Sequence, residues 1–275
     1  GRRRHPMSGA PRTPRFPLSL ERMTSAMPAK ATKAPSTQTA RVPAAADPAA
    51  GVPSGLGLDS HGVRVRMVAR LRGAGARHDG VLAAMVQLPR HFFVDTALAA
   101  QAYEDTSLPI GHGQTISKPS IVARMLELLF AGANARAAGS LGRVLEIGTG
   151  CGYQAALLGA LARQVYTIER VKPLHDKARE NLAALREHRI RLVYGDGRHG
   201  HPPNAPYDSI IAAAGGGELP PAWLEQLAPG GRLVAPMLDA ASGAQLLTVV
   251  DREERGYVWT RHESVLFVPL KSGLD

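Results

Sequence analysis

The chain has 275 residues, with 33 Lys and Arg against 23 Asp and Glu for a net charge of +10, 44% hydrophobic residues and one cysteine. This suits one large domain, or one domain with a long tail. The lone Cys151 excludes a disulfide scaffold, no His/Cys cluster has metal-ligand spacing, and no apolar run approaches the roughly 18 residues of a membrane-spanning helix.

In chain order, residues 1–58 hold nine Lys and Arg against two acids, nine of the 21 prolines, and no aromatic residue apart from Phe16. Such a Pro/Ala-rich basic stretch buries too little apolar surface to offset the entropy of ordering, so it is predicted to be a disordered tail. An anion-binding arm and an organelle transit peptide are its functional alternatives, beside a bland extension. It carries +7 of the net charge, which leaves +3 for residues 59–275. That distribution weakens a nucleic-acid reading of the folded part, and no aromatic-basic interleaving appears there. The basic N-terminus runs into Pro, Ser and Thr and not an apolar segment, so the expectation is a cytoplasmic protein that is not secreted and does not contact a membrane.

From residue 59 onward the pattern is that of one domain. Val63, Met67, Val68 and Leu71, then Val81, Leu82, Met85 and Val86, fall at helical spacing and predict a helical cap ending before Pro89. Pro119 opens a helix running through Ile121, Val122, Met125, Leu126, Leu128 and Leu129. Beyond it, strand-like runs at Arg143–Ile147, Gln164–Ile168, Ile190–Tyr194, Tyr207–Ala212 and Gly231–Pro236 alternate with helical patterns such as Tyr153–Ala162 and Lys172–His188. This alternation predicts an α/β fold, a doubly wound and mostly parallel sheet covered by helices on both faces. The pattern then changes to Gln245–Asp251, a turn near Glu254–Gly256, and Tyr257–Val268, a C-terminal antiparallel hairpin.

The chemistry concentrates where the first parallel strand ends, at Gly148-Thr149-Gly150-Cys151-Gly152-Tyr153. Three glycines at alternate positions between a strand and a helix allow a tight turn and let a ligand lie against main-chain N–H groups at the helix N-terminus. A nucleotide-like cofactor follows. The dinucleotide fingerprint needs its third glycine where Tyr153 stands, which argues against NAD or FAD. Glu169 closes the second strand about 20 residues on, where an acid can accept both hydrogen bonds of a ribose diol; alternatively it is a surface acid starting a helix. Asp196, between Gly195 and Gly197, reads as a turn residue or a ligand group at the sheet's C-terminal edge. Cys151 is either a reactive thiol or a small loop residue.

Together these spacings resemble the Rossmann-like fold of S-adenosylmethionine-dependent methyltransferases. Within that superfamily, Leu88–Val94, Ala102–Asp105, Leu108–Ser117, Leu145–Gln154, Gly195–Gly197 and Phe267–Leu270 resemble the protein-L-isoaspartate (D-aspartate) O-methyltransferase family over roughly residues 60–272. The segment Gly113-Gln114-Thr115-Ile116-Ser117 is the specific part; the glycine loop is shared by many methyltransferases. The resemblance implies transfer of the methyl of S-adenosyl-L-methionine to the free carboxylate of isoaspartyl residues in damaged proteins and peptides. The products are S-adenosyl-L-homocysteine and a methyl ester that closes to a succinimide.

By the same resemblance Ser117 orients the acceptor carboxylate with Thr115 nearby, Gly148, Thr149, Gly150 and Gly152 follow the methionine moiety, Glu169 takes the ribose, and Asp196 with Gly197 lies near the adenine. A helix cap is the plainer role for Ser117, and the two roles are compatible. Lys118 either steers an acidic substrate or is a solvated side chain. Because the substrates are polypeptides of variable shape, a monomer is expected. One departure stands out: Gly215-Gly216-Gly217 occupies a loop where the family usually has a proline, which predicts looser closure there. Two rivals are a methyltransferase acting on another carboxylate or a small molecule, and a basic nucleic-acid-binding module.

Overall fold

The computed structural model describes residues 61–275. The predicted tail, residues 1–58, lies outside the described residues.

The cap consists of α1 (His61–Gly73) and α2 (Asp79–Gln87), which bury Met67, Val68, Leu71, Val81, Leu82 and Met85. Two short 3-10 turns, Arg90–Phe93 and Thr96–Gln101, lead to a small hairpin of β1 (Leu108–Gly111) and β2 (Gln114–Ile116). Helix α3 (Pro119–Phe130) opens with proline at its first turn, where a missing N–H costs nothing. It buries Val122, Met125, Leu126 and Leu129, the i, i+3, i+4, i+7 stripe that drives it onto the core. The short α4 (Ala133–Ala138) ends at Gly139 in the left-handed conformation.

The main sheet follows as β3 (Arg143–Ile147), α5 (Tyr153–Leu161), β4 (Gln164–Glu169), α6 (Lys172–Ala184), β5 (Ile190–Tyr194), β6 (Tyr207–Ala212), α7 (Pro221–Glu225), β7 (Leu227–Leu238), β8 (Gln245–Glu253) and β9 (Gly256–Val265). Its strand order is β5-β4-β3-β6-β7-β8-β9. The pairings from β5 to β7 are parallel, and those of β8 with β7 and with β9 are antiparallel. The predicted doubly wound sheet with its C-terminal hairpin is therefore present. Two apolar cores flank it, Val144, Val165, Ile211 and Val234 facing one and Leu145, Ile147, Ile168, Ile210 and Leu233 the other. Central strands buried on both faces explain the near-continuous apolar runs in the sequence.

The elements depart from the predicted bounds where propensity is silent. Strand β7 begins at Leu227, four residues before the predicted Gly231, and β9 ends at Val265 instead of Val268. After Val265 the chain leaves the sheet: the Phe267 N–H donates to Gln245 Oε1 at 2.6 Å, and the segment turns toward the C-terminal ends of the parallel strands. Among the described residues no helix is long and apolar enough to cross a membrane.

Candidate active site at the strand switch point

The strand order reverses beside β3: the chain runs outward from β3 through β4 to β5, then crosses back to β6 on the other side of β3. In open α/β sheets, ligands bind in the crevice that such a reversal leaves beyond the carboxyl ends of the strands. Here that crevice is a cleft of about 910 Å³, counting the space open to solvent, and Gly148, Thr149, Gly150, Glu169 and Gly197 line it.

The glycine loop is locked from beneath. Gly148 and Gly150 take φ of 88° and 56°, conformations that side-chain-bearing residues rarely adopt. The Gly148 and Thr149 N–H groups donate to the Ile168 carbonyl at 2.9 and 3.2 Å. Under the loop, Thr149 Oγ1 lies 2.6 Å from Thr167 Oγ1, and Gln154 Nε2 donates to Glu146 Oε1 at 3.0 Å. Thr167 in turn bonds the other Glu146 oxygen at 2.5 Å. Glu146 is fully buried, and burial pushes its carboxyl up to about 8 despite the Thr167 and Gln154 hydrogen bonds. It is thus a neutral acid at pH 7 tying the loop, β3, β4 and α5 together. Sequence reasoning passed over it, although an acid within a strand of otherwise buried apolar residues was a usable signal.

Glu169 is 5% exposed at the end of β4. Its Oε2 accepts from the Gly150 N–H at 2.8 Å and its Oε1 from the Val171 N–H at 2.9 Å. Each carboxylate oxygen has a second lone pair, so these bonds fix its rotamer while leaving acceptor capacity for a diol. Gly152 and Asp196 do not line the cleft. Gly152 starts α5 at φ 92°, with the Leu182 side chain 3.2 Å from where a Cβ would stand. Asp196 caps the turn that follows β5, accepting from the Arg198 N–H at 2.9 Å, and receives the Gly273 N–H at 2.6 Å. Its neighbour Gly197 is the one that faces the cleft.

On the opposite wall, the β1–β2 hairpin brings Thr115 and Ser117 over the loop, with Ile110 Cδ1 3.1 Å from where a Gly150 Cβ would stand. Thr115 and Ser117 also line an open groove that runs past Lys118, Gln245 and Leu266. The cleft and the groove meet at Thr115, Ser117, Ala213 and Val268. The capping role weighed for Ser117 is filled by another residue: Asp105 Oδ1 accepts the Ser120 N–H of the first turn of α3 at 2.8 Å. Cys151 is 4% exposed, and burial pushes its thiol up to about 11, which makes it a packed loop residue and not a nucleophile.

The triple glycine loop is not loose. Gly215 exchanges main-chain hydrogen bonds with Val268 and Leu270 at 2.9 and 2.7 Å, and the Gly216 carbonyl accepts from Leu238 at 2.9 Å. A Cβ on Gly215 would stand 2.6 Å from Gln245 Nε2 and 3.1 Å from the Pro236 carbonyl, so glycine here permits close backbone packing. By this contact the chain after β9 is laid along the cleft, where Val268, Pro269, Leu270 and Lys271 form part of the wall.

A seven-stranded sheet of this order, with a glycine loop and a β4 acid at the switch point, defines a Rossmann-like methyltransferase. The model of the protein-L-isoaspartate(D-aspartate) O-methyltransferase family matches residues 63–275, and the chain belongs to that family. The protein-L-isoaspartate O-methyltransferase of Methylibium petroleiphilum is 61% identical over 264 residues, covering 95% of this chain and 97% of that one. The enzyme of the same name from Leptothrix cholodnii is 67% identical over 222 residues, 80% of this chain and 77% of its own. Among solved structures, a protein-L-isoaspartate O-methyltransferase aligns with a TM-score of 0.68 at 27% identity, over 77% of this chain and 67% of that one. A Plasmodium falciparum protein described as a complex with S-adenosyl-L-homocysteine shares the fold, with a TM-score of 0.64 at 24% identity over 76% of this chain and 98% of that one.

Proposed function

We propose that Thr115 and Ser117 hold the acceptor carboxylate, and the Gly148–Gly150 loop with Glu169 and Gly197 the cofactor, in the family's reaction: methyl transfer from S-adenosyl-L-methionine to the free carboxylate of an L-isoaspartyl residue. One observation carries this assignment. The cleft and the open groove share Thr115 and Ser117, so a carboxylate arriving along the groove meets a cofactor in the cleft at those two hydroxyls.

The residues fit such a cofactor. The glycine loop and Glu169 line the cleft together, and Glu169 is a buried acid with spare lone pairs. When bound, S-adenosyl-L-methionine supplies an electrophilic methyl group on a sulfonium. The acceptor carboxylate, with a pKa of about 4, is already ionised at neutral pH, so the chain need not provide a general base. Its contribution is placement, which in well-oriented systems is worth roughly 7–11 kcal/mol. Ser117 donates its hydroxyl to one carboxylate oxygen and turns the other toward the cleft. Glu169 holds a ribose diol, and Asp196 acts indirectly by anchoring the Gly273 amide beside Gly197. An open groove suits polypeptide substrates read through their main chain. All these groups come from residues 59–275 of one copy, in keeping with a monomer whose partners are isoaspartyl-containing proteins.

The test is methyl transfer from labelled cofactor to an isoaspartyl peptide and to its aspartyl twin. Wild type should label only the former. Ser117→Ala should lower kcat/KM for it by about 10–100-fold, the worth of a hydrogen bond to a charged group, with cofactor affinity unchanged. Equal activity of the variant would remove Ser117 from the acceptor site.

A further inference from the structure

Beneath the acceptor wall lies a cation that the reaction as described does not use. Arg90, on the 3-10 turn before the hairpin, is 0% exposed. Its Nε donates to the Ala102 carbonyl at 2.8 Å and its Nη2 to the Ser117 carbonyl at 2.7 Å. The guanidinium carbon stands 4.8 Å from the centre of the Tyr153 ring. Its Nη1 and the buried Tyr153 hydroxyl have no hydrogen-bond partner of good geometry. No carboxylate among the described residues forms an ion pair with Arg90; Asp105, the acid whose charge reaches it, is committed to the Ser120 amide. Tyr153 and Cys151, which flank the guanidinium, both line the cleft.

A buried charge without a counter-ion is expensive, and a partner is normally built in. Two backbone carbonyls and a ring face offset part of that cost, but none of them neutralises the charge. Two anions reach this region in the proposed cycle, the methionine carboxylate of the cofactor along the glycine loop and the acceptor carboxylate at Ser117, and Ser117 is the residue whose carbonyl Arg90 holds.

We infer that Arg90 is a positioning and specificity residue for the acceptor: it fixes the main chain at Ser117, and its unneutralised charge favours an anionic carboxylate over a neutral group of the same shape. This rests on the assignment of Ser117 to the acceptor side. The test compares an isoaspartyl peptide with the same peptide carrying a carboxamide in place of the free carboxylate. Affinity for each is measured with wild type, Arg90→Gln and Arg90→Lys, alongside kcat on the isoaspartyl peptide, which both variants should lower, cofactor affinity and thermal stability.

Wild type should prefer the carboxylate peptide by about tenfold or more, on the scale of hydrogen bonds to charged groups. Arg90→Gln should bring that ratio close to one with cofactor affinity intact, and Arg90→Lys should restore the ratio while kcat stays low, because a point charge cannot span both carbonyls. A purely structural role would weaken both peptides equally and leave the ratio alone, which overturns the inference. If Arg90→Gln fails to fold, salt decides on wild type: a buried charge is little screened, so the preference should survive from about 50 to about 500 mM salt. Loss of preference in high salt, or in Lys118→Ala, would assign it to the surface and refute the role of Arg90. Absence of methylation of any isoaspartyl peptide would instead refute the underlying acceptor assignment, and this inference with it.

Discussion

Glu146→Gln should make the protein's stability less dependent on pH. In the folded protein the carboxyl holds its proton up to about pH 8, against 4.5 for an ordinary glutamate. Between those values the folded state binds more protons than the unfolded chain, so stability is complete below about pH 4.5 and falls as pH rises toward 8. The slope is about 1.4 kcal/mol per pH unit, and the whole window is worth about 5 kcal/mol at most. Glutamine keeps the shape and the acceptor for Gln154, and Thr167 Oγ1 can accept its extra N–H, but it cannot ionise. From about pH 5.5 to about pH 7.5 the variant should therefore gain about 2.7 kcal/mol relative to wild type, a relative shift of roughly 5–11 °C in Tm for a domain of this size. Melting curves at several pH values in matched ionic strength measure it. Parallel Tm profiles for the two proteins would mean that Glu146 is already ionised in the fold, and would refute the neutral-acid tie beneath the glycine loop.

Glu169→Gln replaces one of two acceptors with a donor that faces a backbone N–H, so cofactor affinity measured by calorimetry should fall roughly 10–100-fold; an unchanged Kd would free this residue from the cofactor site. Gly197→Ala puts a methyl 2.5 Å from Ile147 Cγ2, and should cost about 1–3 kcal/mol by denaturant titration and weaken cofactor binding. Adding Ile147→Ala should make the two costs less than additive, whereas strict additivity would show that the contact is not the cause. Cys151, buried and held as a thiol, should react with a thiol reagent at neutral pH only as fast as the protein opens, so rapid labelling of the native protein would contradict its placement.

The sequence by itself determined the order of the main-sheet strands and the location of the chemistry, but not the β1–β2 hairpin, α4 or α7. Arg143–Ile147, Ile190–Tyr194 and Tyr207–Ala212 were readable to the residue because each is a short run rich in β-branched, aromatic and aliphatic residues. The Gly148, Gly150 and Glu169 positions were readable because a tight strand-to-helix turn and an acid at a strand end leave local marks. Tertiary structure decided what depends on atoms far apart in the chain. No local pattern says that Asp105, and not Ser117, caps α3, since Asp105 and Ser120 are brought together by the hairpin between them. Composition reads three consecutive glycines as slack, yet Gly215 and Gly216 are pinned by Val268, Leu270 and Leu238, main-chain partners whose bonds carry no side-chain signature. Glu146 and Arg90 are ordinary charged residues in sequence. Only burial, which the whole fold imposes, holds the first neutral at pH 7 and leaves the second without an ion-pair partner among the described residues, bonded instead to the Ala102 and Ser117 carbonyls.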